Sequence, residues 1–156
     1  MASKSGNVSA LLKQLASASE TLNQASNKLT EQIKEIEASL ASYNLGVIAW
    51  VELRRTPEEV AENYPTVDRI ESLGYSKKNG KWGLFVYSEI EEFEHLEEWL
   101  LRDAPRELRI LAVDAIPQLL ETMVTKAKVL TSEVISKTDR AKSIAHSLRN
   151  KQKKGE

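Results

Sequence analysis

LGYSKKNGKWGLFVY, from Leu73 to Tyr87, is the stretch on which the reading of this chain turns. Two runs rich in aromatic and apolar residues flank Asn79-Gly80. Asn-Gly is the strongest short hairpin signal, because both residues accept the positive φ angles of a type I′ turn. Pairing about that turn sets Lys77 opposite Trp82, Tyr75 opposite Leu84 and Leu73 opposite Val86. One face of the hairpin is then apolar and needs a covering layer, since an isolated hairpin is marginal in water. Upstream, the β-branched and aromatic run Gly46–Leu53 (GVIAWVEL) reads as a third strand. Thr56-Pro57 with Glu59 reads as the opening of a helical turn. Short helices near residues 93–101 and 104–113 are expected to lie over the resulting three-stranded antiparallel sheet.

Working outward, residues 8–44 form a helical segment. Its apolar positions Val8, Leu11, Leu15, Ala18, Leu22, Ala25, Leu29, Ile33, Ile36, Leu40 and Tyr43 step by three and four. This is a heptad seam with one stutter between Leu29 and Ile33. Ser26 falls between seam positions, on the expected solvated flank. A second seam runs through Ile116, Leu120, Met123, Ala127, Leu130, Val134, Lys137, Ala141, Ile144 and Leu148, broken only by Lys137, with Lys126 on its flank. Asp103 before Pro105 reads as a helix start. Pro117 is expected to kink or break the 104–149 segment, because proline clashes with the carbonyl four residues earlier. Each long helix comes to roughly 50–55 Å.

The expected architecture is α+β. A small head, residues 45–103, carries the three-stranded sheet and short helices, and two long antiparallel helices flank it as a coiled-coil-like stalk. Residues 1–7 and the basic tail 150–156 are expected to be disordered. Neither helix carries enough polar pairing to stand alone. Homodimerisation into a four-helix bundle would bury both seams, with Leu15, Leu22, Leu29, Ile36, Leu120, Leu130, Val134 and Ile144 as the contact set.

The 156 residues contain no cysteine, which excludes disulfides, thiolate metal sites and cysteine nucleophiles. No apolar run approaches the ~20 residues of a membrane span, and a cytoplasmic protein is the expectation. The net charge of −1 is unevenly spread. Residues 1–45 balance four Lys against four Glu. Residues 46–103 carry seven basic and thirteen acidic side chains, for −6. Residues 104–156 carry eleven and six, for +5.

Catalytic patterns are sparse. Glu92-x-x-His95 matches half of a di-iron helix motif, but the other histidine, His146, has Ser143 three residues before it. Six of the ten residues from Glu89 to Glu98 are glutamate, which reads as a solvated face suited to a basic partner. No Gly-x-Ser-x-Gly or phosphate-cradling glycine loop occurs, and Gly6, Gly46, Gly74, Gly80, Gly83 and Gly155 read as turn or strand-edge residues. Trp50, Trp82 and Trp99 fall in or beside the head with Tyr75, Phe85, Tyr87 and Phe93, as core or as a recognition surface. Lys77, Lys78, Lys81 and Trp82 at the hairpin tip are the candidate interaction residues. The resulting expectation is a non-enzymatic interaction or assembly module. It has no cofactor or metal, self-associates through its stalk, and presents the hairpin head to a protein partner. The alternative is a nucleic-acid-associated accessory protein that uses the hairpin lysines and the basic tail from Arg149 to Lys154.

Overall fold

The computed structural model describes residues 3–93 and 96–153, the side chains of residues 3–5 excepted. Helix α1 (Ser3–Ser42) leads into four strands, β1 (Ala49–Glu58), β2 (Val67–Lys78), β3 (Lys81–Ile90) and β4 (Leu96–Leu100). A 3₁₀ turn at Leu101–Asp103 then joins helix α2 (Arg106–Gln152). The strands form one antiparallel meander in the order β1-β2-β3-β4. Among the described residues no helix is long and apolar enough to cross a membrane.

The hairpin register agrees with the reading of the sequence: Lys77 pairs with Trp82, Tyr75 with Leu84 and Leu73 with Val86. Asn79 and Gly80 both take positive φ, 50° and 78°, as a type I′ turn requires.

The expected three-stranded head is corrected to four strands. The segment placed as a short helix near 93–101 contains β4, whose Leu96–Leu100 pairs with Phe85–Glu89. An extended Leu96–Leu100 completes the backbone hydrogen bonds of β3, which a helix there would leave open. The helical turn expected at Thr56 is absent as well. β1 runs on through Thr56 and Pro57, the latter paired with Asp68. A proline is tolerated there because β1 is an edge strand.

Nor is there a separate helix at 104–113. α2 passes through Pro117 without a break, and Pro105 rather than Asp103 stands at its N-cap. Asp103 is taken up by the 3₁₀ turn. Buried Ala112, Ile116 and Leu119 hold the helix against the head on both sides of Pro117, which offsets the cost of the missing hydrogen bond. α1 runs from Ser3, ahead of the expected start at residue 8.

The helices are not an antiparallel pair. Arg106 donates to Asn23 Oδ1 (2.9 Å), and Arg109 donates to Ser26 Oγ (2.9 Å) and to the Thr30 hydroxyl. Further along, Leu45 after α1 lies with Ala127 and Leu130 of α2, and Lys126 donates to the Ile48 carbonyl (2.8 Å). Rising numbers on one helix meet rising numbers on the other, so the two run in the same direction. The links at both ends of the head explain this. α1 reverses into β1 through Asn44 and Gly46, both at positive φ. β4 stops at Leu100, level with Trp50, yet Glu107 already reaches Arg54 further along β1. Residues 101–105 therefore carry the chain back before α2 begins, and both helices run opposite to β1. Ser26, expected on a solvated flank, is instead 8% exposed between the helices.

The core lies on one face of the sheet. Ala49, Val51, Leu73, Tyr75, Leu84 and Val86 point into it. Ile33 and Leu40 of α1, Leu101 of the 3₁₀ turn, and Leu108, Ala112, Ile116, Leu119 and Met123 of α2 close it. Each Val, Leu, Ile or Met among them, fully buried, contributes about 1.5–3 kcal/mol. At the far end of this face Glu71 is 6% exposed. Its carboxylate accepts from Arg54 (2.6 Å), which also pairs with Glu107 on α2. The buried Ser88 accepts from Arg69 (2.9 Å), which is bound to Glu58.

Two glycines carry the local geometry. A Cβ at Gly74 would lie 1.9 Å from ring atoms of Trp50, so Gly74→Ala is expected to displace the indole and cost about 1–3 kcal/mol. Gly80→Val is expected to destabilise by at least about 1 kcal/mol, because a β-branched residue resists positive φ. Thermal unfolding measures both, and unchanged midpoints would contradict the strand packing and the turn respectively.

Candidate functional site

Side chains alternate across a strand, so the four hairpin-tip candidates divide between two faces. Lys77 and Trp82 share the face of Tyr75 and Leu84. Trp82 is half-buried there, stacked on Tyr75 with centroids 5.2 Å apart and planes at 17°. Burial and the Glu37 charge raise the Tyr75 phenol pKa. Lys78 and Lys81 lie on the opposite face. Lys81 is exposed. Lys78 is committed: its ammonium pairs with Glu98 and lies 5.1 Å from the Phe85 ring centroid and 4.7 Å from that of Tyr87. Burial opposes this charge, but Glu98 and Tyr87 outweigh it and hold the Lys78 pKa above its ordinary value. The alternation thus parts Lys77 and Trp82 from Lys78 and Lys81, and Lys78 is already engaged by Glu98.

Among the described residues no helix covers the second sheet face. Trp50, Ser72, Gly74, Phe85, Tyr87, Glu89, Leu96 and Glu98 lie on it. The Trp50 indole covers Gly74 and meets Tyr87 nearly edge-on, with centroids 4.2 Å apart and planes at 76°. Glycine is needed at 74 because any side chain would occupy the place of the indole. Trp50 is 37% exposed and Leu96 53%. A shallow cup of about 360 Å³ opens between Trp50, Ser72, Tyr87, Glu89 and Leu96. The sequence named these aromatics as core or recognition surface. The alternation assigns Tyr75 and Trp82 to the core side and Trp50, Phe85 and Tyr87 to the open side.

At the hairpin end a second feature escaped the sequence reading. β4 covers only Phe85–Glu89 of β3, so Lys81–Leu84 has an uncovered edge. Glu37 of α1 takes the place of the missing strand. Its carboxylate accepts from the Leu84 amide (3.2 Å) and pairs with Arg102 (3.3 Å). The edge is left as a notch lined by Glu37, Lys78, Trp82, Glu98 and Arg102. A glutamate between heptad positions gives no sign of such a role, since only the docking of α1 brings it to that edge.

The seam residues also divide. Leu29 and Ile36 pack against the head core. Leu15 is 65% exposed, Leu22 50%, Leu120 38%, Leu130 41%, Val134 56% and Ile144 53%. His95 of the Glu92-x-x-His95 motif lies outside the described residues, as do Glu94, Lys154 and Gly155. Among the described residues no group of three or more His, Asp or Glu side chains is placed to hold a metal ion.

Glu37→Ala removes the acceptor of a buried amide and the partner of Arg102. It is expected to cost about 1–3 kcal/mol and to lower amide-exchange protection at Leu84 more than at Leu73. Equal protection in both proteins would show that the carboxylate does not cap the edge.

Comparison with protein-family models, with curated proteins and with solved structures finds no match to this chain.

Proposed function

We propose that this chain is a non-enzymatic assembly module that associates with a second copy through the projecting ends of its helices and presents the sheet head to a protein partner. One observation carries the reading: the apolar seams continue past the head, and no described residue covers them. On α1, Val8, Leu11, Leu15 and Leu22 are 50–65% exposed. On α2, Leu130, Val134, Ile144 and Leu148 are 41–60% exposed. These positions repeat at heptad spacing, the pattern of helices that bury a seam against another helix.

Within one chain the two exposed ends cannot meet. The helices run in the same direction and overlap over the head, so the first part of α1 projects beyond one end and the last part of α2 beyond the other. A two-fold axis across the helices sets the free end of α1 against the free end of α2 from the second copy, antiparallel, at both ends at once. That arrangement closes. Charge favours it over pairing two α2 ends. Residues 128–152 carry six basic and two acidic side chains, so two copies would repel, whereas residues 6–25 carry only Lys13 and Glu20.

The nucleic-acid reading draws less support. Lys78 is held by Glu98, and Lys77 and Lys81 lie on opposite faces. The tail lies beyond the exposed part of α2, roughly 35 Å past the head at 1.5 Å per residue. Few phosphate contacts per surface give weak, salt-sensitive binding.

Sedimentation at 50 µM is expected to give twice the 17.5 kDa of one chain. Leu15→Asp and Leu130→Asp are each expected to yield monomers that keep the circular dichroism of the head, because both positions are exposed in a single chain. A monomeric wild type, or unchanged mass in both variants, would overturn the proposal.

A further inference from the structure

The open sheet face engages the Lys78 ammonium and repeats most of the arrangement that engages it. Lys78 sits against the rings of Phe85 and Tyr87 and is paired with Glu98, which faces Tyr87 across β3 and β4. On the other flank of Tyr87 the same chemistry recurs. Trp50 supplies the second ring, meeting Tyr87 at 76°, and Glu89 supplies the carboxylate two residues along β3. No cationic side chain of the described residues fills this second position. Glu89 is exposed and has no ion pair among the described residues. Of the further cations on this face, Arg55 is held by Glu52, Asp68 and Glu91, and Lys81 stands at the hairpin tip, eight residues along β3 from Glu89.

We propose that the cup between Trp50, Tyr87 and Glu89 binds a lysine side chain from a basic segment of a partner protein. The indole beside Gly74 is 37% exposed, and indole is the best aromatic partner for a cation. The Leu96 side chain at the lip accepts the methylene stem, as apolar surface does for snorkelling lysines. Glu89 supplies the full opposite charge. The charge balance points to the same occupant, since residues 46–103 carry −6 and the cations beside the aromatic cluster and β1, Lys78 and Arg55, are already paired. The inference rests on the reading of the head as the partner-facing part of the molecule and is independent of self-association.

Fluorescence anisotropy with a labelled Ala-Lys hexapeptide, and with its Ala-Glu counterpart, tests this on the full chain. The lysine peptide is expected to bind and the glutamate peptide not to. Glu89→Gln is expected to weaken lysine-peptide binding at least fivefold, and Glu62→Gln, an equal charge change in the β1–β2 loop, less than twofold. Nuclear magnetic resonance is expected to shift the Trp50 indole N–H on peptide addition and to leave those of Trp82 and Trp99 in place. Absence of lysine-peptide binding, equal effects of the two Gln variants, or shifts at Trp82 in place of Trp50 would each overturn the cup. Sedimentation of the same samples separates the two readings: a dimer that ignores the peptide refutes the cup alone, and a monomer that binds it refutes self-association alone.

Discussion

A strand sends alternate side chains to opposite sides, and a single layer of helices covers only one of them. The rest of this structure depends on that constraint. Ala49, Val51, Leu73, Tyr75, Leu84 and Val86 share one face and meet both helices there. No layer of the described residues covers the other face, yet it carries Trp50, Phe85, Tyr87 and Leu96. It protects itself locally: Trp50 covers the bare backbone of Gly74, and Lys78 covers Phe85 and Tyr87 while paired with Glu98. The cup beside Trp50 is where that covering stops.

The helices follow from the same geometry. A strand of ten to twelve residues is about 33–40 Å long at 3.3 Å per residue. Helices of 40 and 47 residues reach about 60 and 70 Å. The head can bury only part of each. It takes Ser26–Leu40 of α1 and Leu108–Met123 of α2, and the remainder extends into solvent. Because residues 101–105 carry the chain back before α2 starts, the helices run in the same direction and the surplus lengths point opposite ways. Self-association is proposed because of this offset, and a simple hairpin of two helices would have hidden most of both seams within one chain.

Polar groups join the parts that the core does not reach. Arg106 and Arg109 connect α2 to Asn23, Ser26 and Thr30 of α1. Arg54 links Glu71 on the sheet to Glu107 on α2. Glu71, the buried charge among them, is paired as such a charge must be, and each half-buried arginine joins two elements. Each therefore constrains the angle at which a helix sits. Glu37 does the same at the sheet edge, where its carboxylate stands in for the strand that β4 is too short to supply.

What the sequence by itself determined is local. Asn79-Gly80 specified the turn and with it the register of β2 and β3, because a type I′ turn leaves no freedom in the pairing on either side. Heptad spacing marked Leu29, Ile33, Ile36 and Leu40 of α1 and Ile116 and Met123 of α2, which lie in or against the core, and the absence of cysteine removed whole classes of chemistry. Tertiary structure decided the rest. The glutamate-rich segment up to Glu98 includes β4, since the free edge of β3 outweighed a weak local preference. Pro117 stayed within a helix because contacts on either side held it there. Ser26 became a buried link, and the tip lysines parted company across the sheet. The direction of α2 relative to α1 depends on five residues, 101–105, whose path is set by the burial of Leu101 and Ala104. Periodicity reports which side of a helix is apolar. It carries no information about what that side will meet, because the meeting is made by residues far apart in the chain.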